Sequence, residues 1–284
     1  MPVISRRRFL KISLFSALTT AFAGVAGYGY ANDIEPDQIE IVNLELRLPR
    51  LAPAFDGYRL VQFSDIHMGT GMTPERLARI VEMVNAQQPD AIAITGDFVT
   101  QGDVSMLAQG LVDPLSQLKA KDIVVAILGN HDHWTDPVFV RQIISDSGLL
   151  NISNGVFTIQ RGADSLHLAG VDDYWERKDR LDDVLAELPA EGCAVLLAHE
   201  PDYADISAAT GRFDLQISGH SHGGQVRIPF LNRPIIVPRY SLRYPVGQYQ
   251  VGSMIQYTNR GVGTIAPTIR FNCRPEITVY TLRV

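Results

Sequence analysis

Cysteine is scarce. Cys193 and Cys273 are the only two in 284 residues, which excludes a disulfide framework as the basis of the fold. Cys193 sits in an apolar run and reads as a small core residue; a single Cys193–Cys273 bridge is the alternative that an exported protein would permit. Long blocks of like charge, low-complexity tracts and repeats at a solenoid period are also missing, and with them go charged interaction tails and repeat architectures. A basic surface is missing too. The formal net charge is −6, and Arg6, Arg7, Arg8 and Lys11 fall in an N-terminal segment, residues 1–23, that holds no acid. The remaining body is therefore more acidic still. It argues against a nucleic-acid-binding surface and suits a deep site that holds cations. The length admits one large domain or two small ones.

What is present is a repeated grammar in which an apolar strand ends in polar chemistry. Ile123-Val-Val-Ala-Ile-Leu128 reads as a buried strand of a mostly parallel sheet, and Gly129-Asn-His-Asp132 follows at once. Tyr58-Arg-Leu-Val-Gln-Phe-Ser64 leads into Asp65-Ile-His67, and Ala91-Ile-Ala-Ile-Thr95 into Gly96-Asp97. Cys193-Ala-Val-Leu-Leu-Ala198 leads into His199-Glu-Pro201, and Phe213-Asp-Leu-Gln-Ile-Ser218 into Gly219-His-Ser-His222. Six of the seven histidines lie in or beside these ends; only His167 lies apart. Packing does not require that distribution, whereas ligands bind outside the carboxyl ends of parallel strands.

Along the chain, Ser5-Arg-Arg-Arg-Phe-Leu-Lys11 resembles the twin-arginine export signal, with Arg6-Arg7 as the pair. An apolar stretch follows from Ile12 to Ala26, and the small residues of Ala21-Phe-Ala23 predict cleavage after Ala23. An uncleaved anchor is the alternative, since Ile12 to Ala31 is about the ~20 residues a span needs. Residues 1–31 are thus set aside as a targeting segment, and residues 32–284 read as a single domain. Gln38 to Leu48 alternates at period two and predicts a strand. Thr73-Pro-Glu-Arg76 supplies an N-cap and a first-turn proline, predicting a helix to about Gln88. Helices near 104–119 and 136–147 alternate with strands 91–95 and 123–128 as βαβ units. After Gly148, the segments 155–160 and 165–171 flank a turn and predict a hairpin that begins a second, more antiparallel sheet. A helix near 180–188 and strands near 193–198, 252–259 and 276–282 complete the reading. Residues 229–250 mix aromatics, prolines and arginines, either to touch a lipid headgroup layer or to pack over their own domain.

Taken together, the five strand ends offer Asp65, His67, Asp97, Asn130, His199, His220 and His222: seven oxygen and nitrogen donors and no thiolate. Mixed carboxylate–imidazole sets suit Mn, Fe or Zn more than Mg or Ca. Seven donors exceed one tetrahedral site and suit two ions sharing a central aspartate. Such a pair acidifies a bridging water and clamps a phosphoryl oxygen, which sets up in-line attack of hydroxide on a phosphorus ester.

Asp65-x-His67, Gly96-Asp97, Gly129-Asn-His-Asp132, His199 and Gly219-His-x-His222, in this order, resemble the five blocks of the calcineurin-like metallophosphoesterase family. His199-Glu-Pro201, Gly170-Val-Asp-Asp173 and Cys273-Arg-Pro-Glu276 further resemble its exported, cell-envelope branch. The resemblance implies an α/β fold, a four-layer α/β/β/α sandwich with mixed sheets, and a binuclear site for two divalent ions (Mn, Zn or Fe). It implies that Asp65, His67 and His222 hold one metal, that Asn130, His199 and His220 hold the other, and that Asp97 bridges. His131 would not be a ligand; it would stabilise the transferring oxygens and protonate the leaving alkoxide, with Asp132 orienting it. The expected activity is metal-dependent hydrolysis of phosphate esters by a metal-bridging hydroxide. The expected location is the periplasm, the cell wall or the outer face of the inner membrane, reached through the twin-arginine machinery. Ligand sets of this kind leave the substrate open. A lipid-linked phosphodiester or pyrophosphate with membrane contact is the second reading. A non-catalytic metal-binding envelope protein and a structural wall protein are readings of other classes.

Other polar residues carry paired readings. His133 and Trp134 either contact substrate or pack at the start of a helix. His167 faces solvent or a neighbouring strand. Asp172 and Asp173 shape the pocket or cap a turn. Glu200 orients a neighbour or lies on the surface. Arg227, Arg239, Arg243 and Arg260 are candidate phosphate clamps, none singled out.

Overall fold

A computed structural model describes residues 6, 7, 13, 24–231, 234 and 236–284. Most of the expected targeting segment, with the cleavage position after Ala23, lies outside the described residues. Among the described residues no helix is long and apolar enough to cross a membrane.

Two six-stranded sheets face each other. The first is built from β1 (Glu40–Arg47), β2 (Arg59–Phe63), β3 (Ala91–Thr95), β4 (Ile123–Ile127), β5 (Leu150–Asn151) and β12 (Glu276–Arg283), in the order β1-β12-β2-β3-β4-β5. The second is built from β6 (Gly155–Arg161), β7 (Asp164–Gly170), β8 (Cys193–Leu197), β9 (Leu215–Ser218), β10 (Gly247–Val251) and β11 (Met254–Thr258), in the order β10-β11-β9-β8-β7-β6. Strand alternation sorts the core into layers. Val61, Phe63, Ile92, Ile94 and Ala126 turn outward, where they meet α1 (Pro74–Asn85), α2 (Val104–Leu115) and α4 (Pro137–Asp146), which follows the short α3 (Asn130–Thr135). Their neighbours Leu60, Ala91, Ala93, Val125 and Ile127 turn inward, against Cys193, Val195, Leu197, Leu215 and Ile217 of the second sheet. Ala194 and Leu196 face out again, beside Val184 of α5 (Leu181–Glu187) and Ala204 of α6 (Ala204–Ala209). The result is the four-layer α/β/β/α sandwich.

The helices begin where capping chemistry places them: Thr73 accepts from the Arg76 N–H, Asp103 from Ser105, and Asp136 from Val138 and Phe139. The helix expected to reach residue 119 stops at Leu115: the Ser116 N–H still bonds to the Val112 carbonyl, but those of Gln117 and Leu118 bond only three residues back, to Pro114 and Leu115, and the ladder ends in a tight turn. The second sheet is less antiparallel than expected. Its β6–β7 and β10–β11 edges are antiparallel hairpins, but β7, β8, β9 and β11 run parallel through its centre. Both cysteines are buried and free, so the alternative of a bridge is set aside.

Candidate active site

In the first sheet, β2, β3 and β4 run parallel, so their carboxyl ends deliver Asp65, His67, Asp97 and Asn130 to one edge. In the second, β8 and β9 run parallel and deliver His199, His220 and His222 to the facing edge. The edges are stitched together. Gln62 Nε2 donates to the Ser218 carbonyl (3.1 Å), His199 Nδ1 to the Thr95 carbonyl (2.7 Å), and the His220 N–H to the Asp65 carboxylate (3.0 Å). No side chain larger than glycine fits at two of the turns: a Cβ on Gly129 would strike the Asp97 carboxylate, and one on Gly219 would strike Ser64 and Asp65.

The potential ligand atoms of Asp65, His67 and His222 lie within 4.8 Å of one another, as do those of Asp97, His199 and His220, and those of His67, Asp97 and His131. Opposite ligands of one divalent ion at ~2.1 Å are about 4 Å apart, so these spacings fit metal coordination. His67 Nε2 and His222 Nε2 point at each other at 3.0 Å, and His199 Nε2 lies 3.2 Å from Asp97 Oδ2. Asn130 Oδ1 is buried without a hydrogen-bond partner. A buried acceptor left alone is costly; a cation would satisfy it. Carbonyl partners fix two tautomers, with His199 Nδ1 donating to Thr95 and His220 Nε2 to the Arg239 carbonyl (2.8 Å), which leaves the opposite ring nitrogen of each as donor to a metal.

Titration behaviour agrees with this for His67, His220 and His222; burial would lower His199 too, but the Asp97 carboxylate raises it well above its ordinary value, so a metal there would displace its proton. Burial, together with neighbouring imidazoles, lowers His67 to about 3 and His220 to about 4, and drives His222 well below its ordinary value. These rings are neutral, with lone pairs free for coordination. Burial and the Asp97 charge raise Asp65 to about 6 against the pull of His199. Burial alone would raise Asp97, but the adjoining His199 and His67 hold it well below the usual carboxylate range.

His131 reaches the same cluster by another route. Its N–H donates to Asp97 Oδ1 (2.9 Å), and its ring Nδ1 donates to the Thr100 carbonyl (3.0 Å). The Trp134 ring packs edge-on against it at 4.7 Å. Asp132 does not hold the His131 ring, contrary to the sequence expectation. Its carboxylate accepts four backbone N–H groups, from Asp97, Phe98, Val99 and Gly129 (2.8–3.2 Å), and so locks the β3 and β4 turns to each other. Its side chain is consumed by these donors; Thr100 orients the imidazole.

The remaining residues fall as follows. His133 and Arg141 clasp Asp172, each at 2.7 Å. Trp134 is half exposed and meets Trp175 at 5.3 Å; with Thr100, Gln101 and His131 it lines a cavity of about 420 Å³ beside the candidate ligands. Glu200 is buried and accepts from the Tyr174 and Trp175 N–H groups (3.2 and 3.0 Å), an orienting role. Asp173 accepts from Glu176; burial and the Glu200 charge push it up to about 10, so the pair holds a proton at neutral pH. His167 is buried between strands, accepting from Thr158 Oγ1 and donating to the Glu191 carbonyl. Arg243 and Arg260 are committed to Asp205 and Glu276. Sequence reasoning passed over Arg270. It is fully buried and donates to the carbonyls of Arg260, Gly261, Gly263 and Cys273 beneath Asp65 and His222. Nothing in its Ile-Arg-Phe context signals this, because its partners are backbone atoms.

A double-sheet α/β sandwich with carboxylate–imidazole clusters at its strand ends defines a metal-dependent phosphoesterase. The chain belongs to the calcineurin-like phosphoesterase family, whose pattern matches residues 58–224. It is 36% identical over 286 residues to the uncharacterized metallophosphoesterase YkuE of Bacillus subtilis, covering 100% of this chain and 99% of that one. It is 29% identical to the phosphodiesterase YaeI of Escherichia coli (99% and 100% covered), and 24% identical to the UDP-2,3-diacylglucosamine pyrophosphatase LpxG of Chlamydia trachomatis (95% and 97% covered).

Proposed function

We propose that the protein hydrolyses a phosphodiester outside the cytoplasm. One observation carries the reading: three groups of potential ligand atoms, each within 4.8 Å, are linked at one edge of the sandwich, that of Asp65 and His222 to that of His131 through His67, and that of His131 to that of His199 and His220 through Asp97. In this reading Asp65, His67 and His222 would hold one ion, Asn130, His199 and His220 would hold the other, and Asp97 would serve both. The pair, once bound, supplies an acidified water and positive charge opposite the phosphoryl oxygens. The chain's own groups do the rest. The Thr100 carbonyl holds His131 Nδ1–H and Trp134 limits the ring's rotation, so Nε2 is left to pass a proton to the departing oxygen. Asp132 keeps Asp97 and the Asn130 turn in register. The name of YaeI supports a diester over a monoester, and Arg6-Arg7 with the apolar residues after them supports export.

The test is Asp97→Ala assayed on a chromogenic phosphodiester after reconstitution with Mn²⁺ or Zn²⁺. Turnover is expected to vanish along with metal content; unchanged turnover overturns the assignment. Metal content without turnover in the wild type would instead favour a non-catalytic metal-binding protein. Replacing Arg6 and Arg7 by lysine should leave the protein in the cytoplasmic fraction.

A second reading, a lipid-linked phosphodiester or pyrophosphate, is favoured by LpxG and by the aromatic wall of Trp134, Trp175 and Tyr240 beside the site. Turnover of a nucleotide-activated lipid exceeding that of soluble diesters would establish it.

A further inference from the structure

Exposed apolar side chains are concentrated in two places. Of fifteen large apolar side chains exposed among the described residues, six lie in one loop: Val226, Ile228, Phe230, Leu231, Ile236 and Leu242, with Phe230 fully exposed. Three more, Val25, Tyr28 and Ile34, lie where the N-terminal segment meets the body. The two places adjoin. Residues 270–273 run between them: the Arg270 N–H donates to the Ala31 carbonyl and those of Asn272 and Cys273 to the Glu35 carboxylate, while Phe271 exchanges backbone hydrogen bonds with Gln225 and Arg227. The chain that arrives from the apolar stretch beginning at Ile12 therefore meets the body on the face that displays the loop.

Charge is asymmetric in the same region. From Leu215 to Pro275 the sequence holds no Asp or Glu and seven arginines, in a protein of net charge −6. Arg243 is neutralised by Asp205, but Arg239 and Arg274 are exposed without a carboxylate partner among the described residues. Of the exposed acids near the N-terminal approach, Asp33 is free of ion pairs and Asp37 is paired with Arg76 (3.1 Å). The loop is also continuous with the active site. The Arg239 carbonyl holds His220 (2.8 Å), and Tyr240 packs on Trp175 at 5.8 Å.

We propose that loop 226–242 and the adjoining N-terminal approach form a docking face for an anionic lipid surface, with the apolar side chains entering the acyl boundary and the arginines meeting headgroups. An apolar display this dense is unusual on a surface that meets only water. Seated this way, the candidate active site stands at the bilayer edge, held there by the same segment that docks. The inference does not depend on which ester is hydrolysed.

Flotation of the full chain with phosphatidylcholine vesicles, with and without phosphatidylglycerol, tests it. The wild type should partition more strongly onto the anionic vesicles. A Phe230→Ser, Ile236→Ser double variant should lose partition by roughly tenfold or more while turning over a soluble chromogenic diester at the wild-type rate, which shows that it is folded. A Phe230→Trp variant reads the loop apart from the N-terminal segment: its emission should shift to the blue on anionic vesicles more than that of the parent. An unchanged partition in the double variant, no dependence on phosphatidylglycerol, or no added shift from Trp at 230 overturns the proposal. So does a dimer that the double variant dissolves while neither protein floats, which would assign the face to self-association.

Discussion

Five of the seven candidate ligands, Asp65, His67, Asp97, His220 and His222, have positive φ between 51° and 69°. A non-glycine residue held there costs of order 1–3 kcal/mol, less for Asp and His than for branched residues. The conformation turns side chains out of the strand direction and into the cleft, and hydrogen bonds such as that of the Asp97 N–H to Asp132 and that of the His220 N–H to Asp65 hold it there. This could not be read from sequence. The residue types at the strand ends were visible, and so were Gly129 and Gly219, which mark close approaches; the backbone state that aims the ligands was not. His131 is the residue whose role is most separable, since its ring is anchored by a carbonyl outside the ligand set. His131→Ala is expected to lower kcat by about 10²–10⁴ while metal content, read by elemental analysis, stays at the wild-type level. Loss of metal together with activity would make His131 a ligand instead.

At the scale of elements, the strands that carry the ligands were legible because buried parallel strands read as unbroken apolar runs: residues 91–95 and 193–198 coincide with β3 and β8 almost to the residue. What stayed hidden depends on non-local pairing. β12 inserts between β1, to which it is parallel, and β2, to which it is antiparallel. No local signal in residues 276–283 announces that the chain's last strand sits inside the first sheet. The clasp between α4 and the segment after β7 is of the same kind. Asp172 lies 31 residues from Arg141 and 39 from His133, yet it bonds both. Burial would raise Asp172, but His133, the Asp173 N–H and Arg141 hold it below its ordinary 3.8. A carboxyl depressed on folding contributes stability above its unfolded value and loses it as pH falls through the folded value. Asp172→Asn should therefore unfold at lower temperature than wild type at neutral pH. The gap between the two melting curves should close as pH drops below about 4, and a gap that persists at low pH would assign the loss to packing.

At the scale of the whole molecule, the candidate site is also a seam. The first sheet contributes Asp65, His67, Asp97 and Asn130 and the second contributes His199, His220 and His222, so an ion pair bound there ties the two sheets at the edge where the helices do not cover them. That edge holds facing imidazoles, the buried carboxylates Asp65 and Asp97, and cross-sheet hydrogen bonds such as Gln62 to Ser218 and His199 to Thr95, to which bound cations would add. A ligand that binds the folded state alone stabilises it by RT ln(1 + [L]/Kd), about 2.7 kcal/mol at a hundredfold excess over Kd and about 4.1 at a thousandfold. For a protein of this size each kcal/mol moves Tm by roughly 2–4 °C, so chelation should lower Tm by roughly 5–15 °C and abolish turnover, with both restored by added Mn²⁺ or Zn²⁺. The paired control is Asp97→Ala, which removes the carboxylate common to both halves: its Tm should no longer respond to chelator. A variant that still loses stability on chelation would show that the cations act elsewhere than between the two sheets.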